Sequence, residues 1–310
     1  MLDVWVVLLR LAQYAGAVVL LGAPLFLLYG MREADGLALR WPRRLLIAAS
    51  VVVAVGSGVA LIAQTAVMAG SVAEGLKPSS LGFMITGTSL GPAFLIRSAS
   101  AALALLVLTL LRPSRLVWLF ISLAGLVVSA SFAWTGHGAA TEGAGHYLHL
   151  TAAILHGYGA AVWLGALVVL LILTLGHRSS PEADRKLYDA LHGFSGVGTA
   201  AVAILILSGL INSWFMVGPD RLPGLFTTPY GLLLSAKLAL FGGMLILAAA
   251  NRFHLTPGLA VAFTDPWALA RAVDRLKRSL VLETLVALAL LCAVAVMGTL
   301  APVSAMDMPM

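Results

Sequence analysis

Residues 135–175 read TGHGAATEGAGHYLHLTAAILHGYGAAVWLGALVVLLILTL. The stretch changes character near Leu148. A polar, glycine-rich segment gives way to an apolar run, 148–175, that holds no Asp, Glu, Lys or Arg. About 20 apolar residues are enough for a helix to cross the hydrocarbon of a bilayer, so the run reads as a membrane span. The strands of a membrane barrel would be shorter and would alternate in polarity. Four of the seven histidines, His137, His146, His149 and His156, gather around the point of entry. Imidazole is the commonest metal ligand and binds as the neutral base, so the cluster points to a metal.

Working outward, the same texture covers the chain. Of 310 residues, 61% are hydrophobic and 10% charged, and the mean hydropathy is +1.01. A soluble protein of this size does not have such a composition; a polytopic membrane protein does. Seven further runs qualify as spans, near 4–29, 45–72, 93–111, 115–135, 190–217, 230–250 and 279–301. The N-terminus lacks the basic start of a cleavable signal and is expected to be a retained first helix. The single cysteine, Cys292, lies in the last span, so thiolate metal chemistry is not expected.

Lys and Arg set the orientation. The loops after spans one, three, five and seven carry fourteen of them, Arg32, Arg40, Arg43, Arg44, Arg112, Arg115, Arg178, Arg185, Lys186, Arg252, Arg271, Arg275, Lys277 and Arg278. The other side has Lys77 and Arg221. Both termini, with His137 and His146, are therefore expected in the periplasm of a bacterial inner membrane. The net charge of +6 sits in these short loops and is no argument for nucleic acid. Asp265-Pro266 is a strong helix start, and the basic, amphipathic stretch from Trp267 to Arg278 is expected to lie on the inner surface before continuing into span eight.

The halves resemble each other. Thr88-Ser89-Leu90-Gly91 with Arg97 matches Thr228-Pro229-Tyr230-Gly231 with Lys237; Gln64, Met68 and Gly70 match Asn212, Met216 and Gly218. Gly22-Ala23 matches Gly165-Ala166, which sets Gln13 opposite His156. Each half has four spans, so a duplication would give two parallel repeats about an axis along the membrane normal. The predicted organisation is all-α, with a first repeat at 1–135, a histidine-bearing periplasmic loop at 136–147 and a second repeat at 148–302. The latter includes the amphipathic segment 265–278, and a Met-rich tail follows at 303–310.

With a rise of about 1.5 Å per residue, Gln64, Arg97, His156, Asn212 and Lys237 lie at similar depth in the outer half, and Arg10 joins them. Groups at that depth face a bundle interior or a wet cavity. For Arg97 and Lys237 a second reading is open, since their long stems can snorkel to the headgroups. Glu283, near the inner surface, is expected to pair with Arg252 or to cap a polar contact. His149 and His156 share a helical face about 10.5 Å apart, too far to bind one ion together. His146 and His149 can share one if the helix already begins at His146. His177, His192 and His254 are scattered among basic residues and read as ordinary interfacial groups. The tail supplies thioethers at Met306, Met308 and Met310, soft ligands suited to Cu(I). Histidine with methionine and no outer cysteine fits copper better than zinc or iron.

Gly136-His137-Gly138, His149, His156 and Trp163-Leu164-Gly165-Ala166-Leu167 form an ordered series. Ser208-Gly209-Leu210-Ile211-Asn212, Thr228-Pro229-Tyr230-Gly231 with Lys237, Asn251-Arg252, Leu255-Thr256-Pro257, Glu283 and Leu300-Ala301-Pro302 extend it. The series resembles the copper resistance protein D (CopD) family of bacterial inner-membrane proteins. The resemblance implies eight spans, copper handling and movement of copper across the inner membrane. It also implies a periplasmic copper-binding protein of the CopC type as partner. Carried over by motif, His137, His149 and His156 are the ligands, with His146, Met306 and Met308 as further candidates. Gln64, Asn212, Met216, Lys237 and Arg97 are expected to line a transport cavity. The expected cargo is Cu(I) or Cu(II), with no organic cofactor and no catalytic group. Two other readings stay open: a b-type haem redox protein whose propionates meet Arg10, Arg97 and Lys237, and a copper sensor or assembly scaffold without transport.

Overall fold

The computed structural model describes residues 2–305 apart from Ala140 and Ser179. Helix accounts for nearly all of these residues, and no strand occurs among them. Eight helices are long and apolar enough to cross a membrane. They are α1 (Leu2–Tyr29), α2 (Trp41–Ala69), α3 (Leu90–Leu110), α4 (Arg115–Ser131), α5 (His146–Leu175), α6 (Pro181–Met216), α7 (Pro229–Ala250) and α8 (Pro266–Met297). The chain is a multi-pass membrane protein.

Local chemistry sets the ends of these helices. Ser114 and Ser180 accept from the backbone N–H three residues on, opening α4 and α6. Pro181 follows in the first turn of α6, with Glu182 and Asp184 beside the positive end of the helix dipole. Asp265 accepts from Trp267 N and Ala268 N, as its sequence predicts. From there α8 runs unbroken to Met297, so Trp267 to Arg278 forms its first turns and continues into span eight. Likewise α6 begins well before the apolar run at 190. Capping and tertiary contacts carry its charged first turns, which hydropathy does not see.

The threonine motifs singled out as a repeat have one local structure. Thr88 Oγ1 donates to Met84 O (2.7 Å) and accepts from Gly91 N (3.4 Å). Thr228 Oγ1 donates to Gly224 O (2.7 Å) and accepts from Gly231 N (3.0 Å). In both, the chain turns from a short helix (Pro78–Gly87 or Gly224–Thr227) into a long one.

The first four helices close a ring: α1 packs on α2, α2 on α3, α3 on α4, and α4 back on α1. In the second half α5 packs on α6, α7 on α8 and α8 on α5, but α6 and α7 stand apart. The halves join chiefly through α1 and α5, crossing where Gly22 meets Gly165. A Cβ on either glycine would run into the opposing backbone, so only glycine permits the approach. The main core lies around this crossing, with Leu20, Leu21, Phe26, Leu46, Ile121 and Ala166 all but inaccessible. At the end where α5 starts, a second apolar cluster joins Met216, Val217, Tyr230, Leu234, Met297 and Val303.

Candidate functional site

Thr141, in the turn before α5, organises the mouth of the histidine end. His146 opens α5 and its Nδ1 lies 2.8 Å from Thr141 O. A carbonyl can only accept, so Nδ1 carries the proton and Nε2 the lone pair. One turn on, His149 Nδ1 lies 2.7 Å from Thr141 Oγ1. The His149 ring is 2% exposed and stacks on Phe215 of α6, with centroids 4.7 Å apart and planes within 11°. The helix therefore does begin at His146, and two imidazoles converge on one threonine. His137 lies in a short 3-10 turn, His137–Ala139, packed against α5; its side chain is outside the described structure. Met306 and Met308 also lie outside the described residues. The chain before them is tied down, since the Arg221 guanidinium donates to Val303 O (3.2 Å) and Ser304 O (2.5 Å).

His156 sits two turns deeper on α5. Its Nδ1 lies 3.0 Å from Ser208 Oγ on α6, and the Ser208 hydroxyl is 2.6 Å from Ile204 O. The serine proton is committed to that carbonyl, so His156 Nδ1 donates to Ser208 and Nε2 is left as the base. Such a second contact is what fixes a ligand imidazole. Lys237 of α7 stands within electrostatic range of His156. Gly209, next to Ser208, adds no side chain against the ring.

The first half holds a similar arrangement of other residues. Gln13 occupies the position matched to His156; its Oε1 accepts from Ser57 of α2 (3.2 Å) and from Arg97 of α3 (3.1 Å). Arg97, matched to Lys237 in the sequence, is 1% exposed. It does not snorkel. Its guanidinium donates to Ser131 Oγ, Ser131 O and Thr135 Oγ1 at 2.8–3.0 Å and lies 3.6 Å above the Phe132 ring. These neutral acceptors and the ring face take the place of a carboxylate.

The residues expected to line one cavity fall in different places. Gln64 and Arg97, with Arg10 and Gln13, line a small chamber of about 40 Å³ in the first half. Met216 is packed into the apolar cluster with Met297 and Val303. Asn212 is turned inward, and its Oδ1 has no partner among the described residues. Glu283 does not pair with Arg252. Its carboxylate accepts from Trp163 Nε1 (3.0 Å) and Asn251 Nδ2 (2.8 Å), while Arg252 donates to Ser195 O and the Thr199 hydroxyl of α6. The His177 side chain is 8% exposed and meets Asp184 at 2.8 Å, so it is no ordinary interfacial group.

Among the described residues no three His, Cys, Asp or Glu side chains cluster as a ready-made metal cage. What the histidine end offers is a pair of imidazoles on Thr141 and a third further along α5. The sequence did not flag Thr141, Phe215 or Ser208 as partners. Ser208 stood in a recognised motif, but its role depends on α6 facing α5.

Copper resistance protein D-like, N-terminal domain, matches residues 1–147, and copper resistance protein D matches residues 188–297. Copper resistance protein D of Pseudomonas syringae pv. tomato is 37% identical over 94% of this chain and 95% of its own. This chain belongs to the copper resistance protein D family. Two partial relatives are copper transport protein CutJ of Bacillus subtilis and inner membrane protein YebZ of Escherichia coli. The first is 30% identical over 48% of this chain and 27% of its own; the second is 31% identical over 50% and 52%. No solved structure matches. The matched regions include His137 and His146 in the first and Ser208, Lys237, Asn251 and Glu283 in the second. His149 and His156 fall between them.

Proposed function

We propose that the protein captures copper on the periplasmic side of a bacterial inner membrane and carries it inward, as part of copper homeostasis. The observation that carries this reading is the fixed imidazole series on α5. His146 and His149 converge on Thr141, and His156 lies about 10 Å deeper, with Nδ1 of His146 and of His156 donating to oxygen. An imidazole held in that way presents Nε2 as the ligand. Copper, as Cu(I) or Cu(II), would bind first at the outer pair, aided by His137 and by the thioethers of Met306 and Met308. It would then move to His156 beside Ser208, Asn212 and Lys237.

Two parallel four-helix repeats with both termini periplasmic form the scaffold of this reading. The matched Thr88 and Thr228 turns support the repeat, and so does the meeting of the matched residues Gly22 and Gly165 near a common axis. The Lys and Arg distribution supports the orientation. A periplasmic copper-binding protein of the CopC type would deliver the ion at the histidine end. The reading includes no chemical step. A b-type haem is less well supported, because the outer histidines with described side chains all project from α5, whereas haem is held from two facing sides.

Copper uptake into proteoliposomes is the test. The double variant His149→Ala/His156→Ala should lower the initial rate at least tenfold, while His254→Ala leaves it unchanged. Equal rates for wild type and the double variant would remove the histidines from the path. Tight copper binding without flux in wild type would favour a sensor or scaffold.

A further inference from the structure

The two halves differ most at one seam. Between α2 and α3 the first ring is closed, and Ser98 Oγ donates to Ala54 O across the joint (2.8 Å). The equivalent seam between α6 and α7 is open. It holds a cavity of about 620 Å³ in the half of the molecule away from His146, His149 and His156. That volume is typical of a site for a small organic ligand. Exposed Thr199 and Phe253 frame its mouth, and Leu167, Leu170, Val202 and Leu245 line its walls.

The floor is polar. Asn251 is 8% exposed and faces the cavity; its Nδ2 donates to Glu283, while its Oδ1 accepts nothing among the described residues. Pro257 has no N–H to continue the α-helical ladder, and the backbone just before it, Asn251–Leu255, widens into a π turn. Such turns recur at functional sites. Asn251 thus combines an unusual backbone with an unpaired buried acceptor, which is a costly state unless a donor arrives. Glu283 is 3% exposed and also retains acceptor capacity beyond its two donors.

We propose that this lateral cavity binds a lipid-soluble hydroquinone or phenol entering from the bilayer. The hydroxyl donates to Asn251 Oδ1 beside Glu283, the ring lies among the aromatic side chains of Trp163, Tyr188 and Phe194, and the apolar tail leaves between α6 and α7. A saturated acyl chain would fill the apolar volume but brings no donor to the floor. The inference does not depend on copper reaching the histidines.

Titration of decylubiquinol and of its dimethyl ether, which has no hydroxyl, into the purified protein in nanodiscs tests it. Saturable binding of decylubiquinol is expected, at least tenfold weaker for the ether. Asn251→Leu should weaken decylubiquinol binding to a similar degree, and Val202→Trp, which fills the space, should abolish it. Helical content and thermal midpoint identify any variant that fails to fold, in which case the ligand pair on the wild-type protein decides. Equal binding of the two ligands would mean a slot for acyl chains, and no saturable binding would mean that water serves Asn251. Persistence of binding in folded Val202→Trp would place the ligand elsewhere. Each of these three results overturns the proposal.

Discussion

Ser208 shows how one hydroxyl can set the chemistry of a neighbour. Because its proton goes to Ile204 O, it can only accept from His156, and the imidazole is held with Nε2 as base. Ser208→Ala should therefore weaken copper binding about 10–100-fold, read by competition with a chromophoric Cu(I) chelator, with helix content intact. An unchanged affinity would mean that His156 is no ligand. Arg97 makes the complementary point. Its depth was legible from the sequence, but the direction of its stem was not. The groups that hold it, Ser131, Thr135 and Phe132, come from the last residue of α4 and the 3-10 turn after it, and nothing in the local sequence of α3 points to them. The same holds for Glu283, whose partners Trp163 and Asn251 stand on other helices.

Among the elements, the spans and the cap at Asp265 were readable and crossings were not. Ser114, Ser180, Thr228 and Asp265 all act as N-caps because short polar side chains can reach N–H groups within the same turn. The crossing of α1 and α5 depends instead on two distant glycines. In a bilayer the apolar effect between helices is weak, and close backbone packing supplies much of the association. Gly165→Val would force branched atoms into the backbone of α1, so a loss of about 1–3 kcal/mol or more is expected from overpacking. A lowered unfolding midpoint in detergent would register it. No change would mean that the helices approach each other elsewhere.

For the molecule as a whole, the distribution of basic residues predicts a single orientation. In a Cys292→Ala background, Glu142→Cys should react with a membrane-impermeant maleimide in intact spheroplasts, and Arg271→Cys should react only after permeabilisation. The reverse pattern would invert the protein and place the histidines in the cytoplasm. At this scale the structure also separates the halves. One ring is closed and holds Arg97 against Gln13; the other is open at α6 and α7 and sets His156 beside Ser208.

The sequence by itself determined eight apolar spans, the cap at Asp265, the internal matches and the histidines gathered at one end. Each is a property of residues near one another along the chain, where hydropathy, backbone hydrogen bonding and helical period act locally. The tertiary structure alone decided that Thr141 gathers His146 and His149, that Arg97 turns inward, that Gly22 meets Gly165, and that a cavity opens over Asn251 and Glu283. Apart from the turn at Thr141, which is local to the start of α5, those contacts join helices far apart in sequence. The apolar faces that bury these groups look alike from one span to the next, so pattern alone cannot say which face meets which.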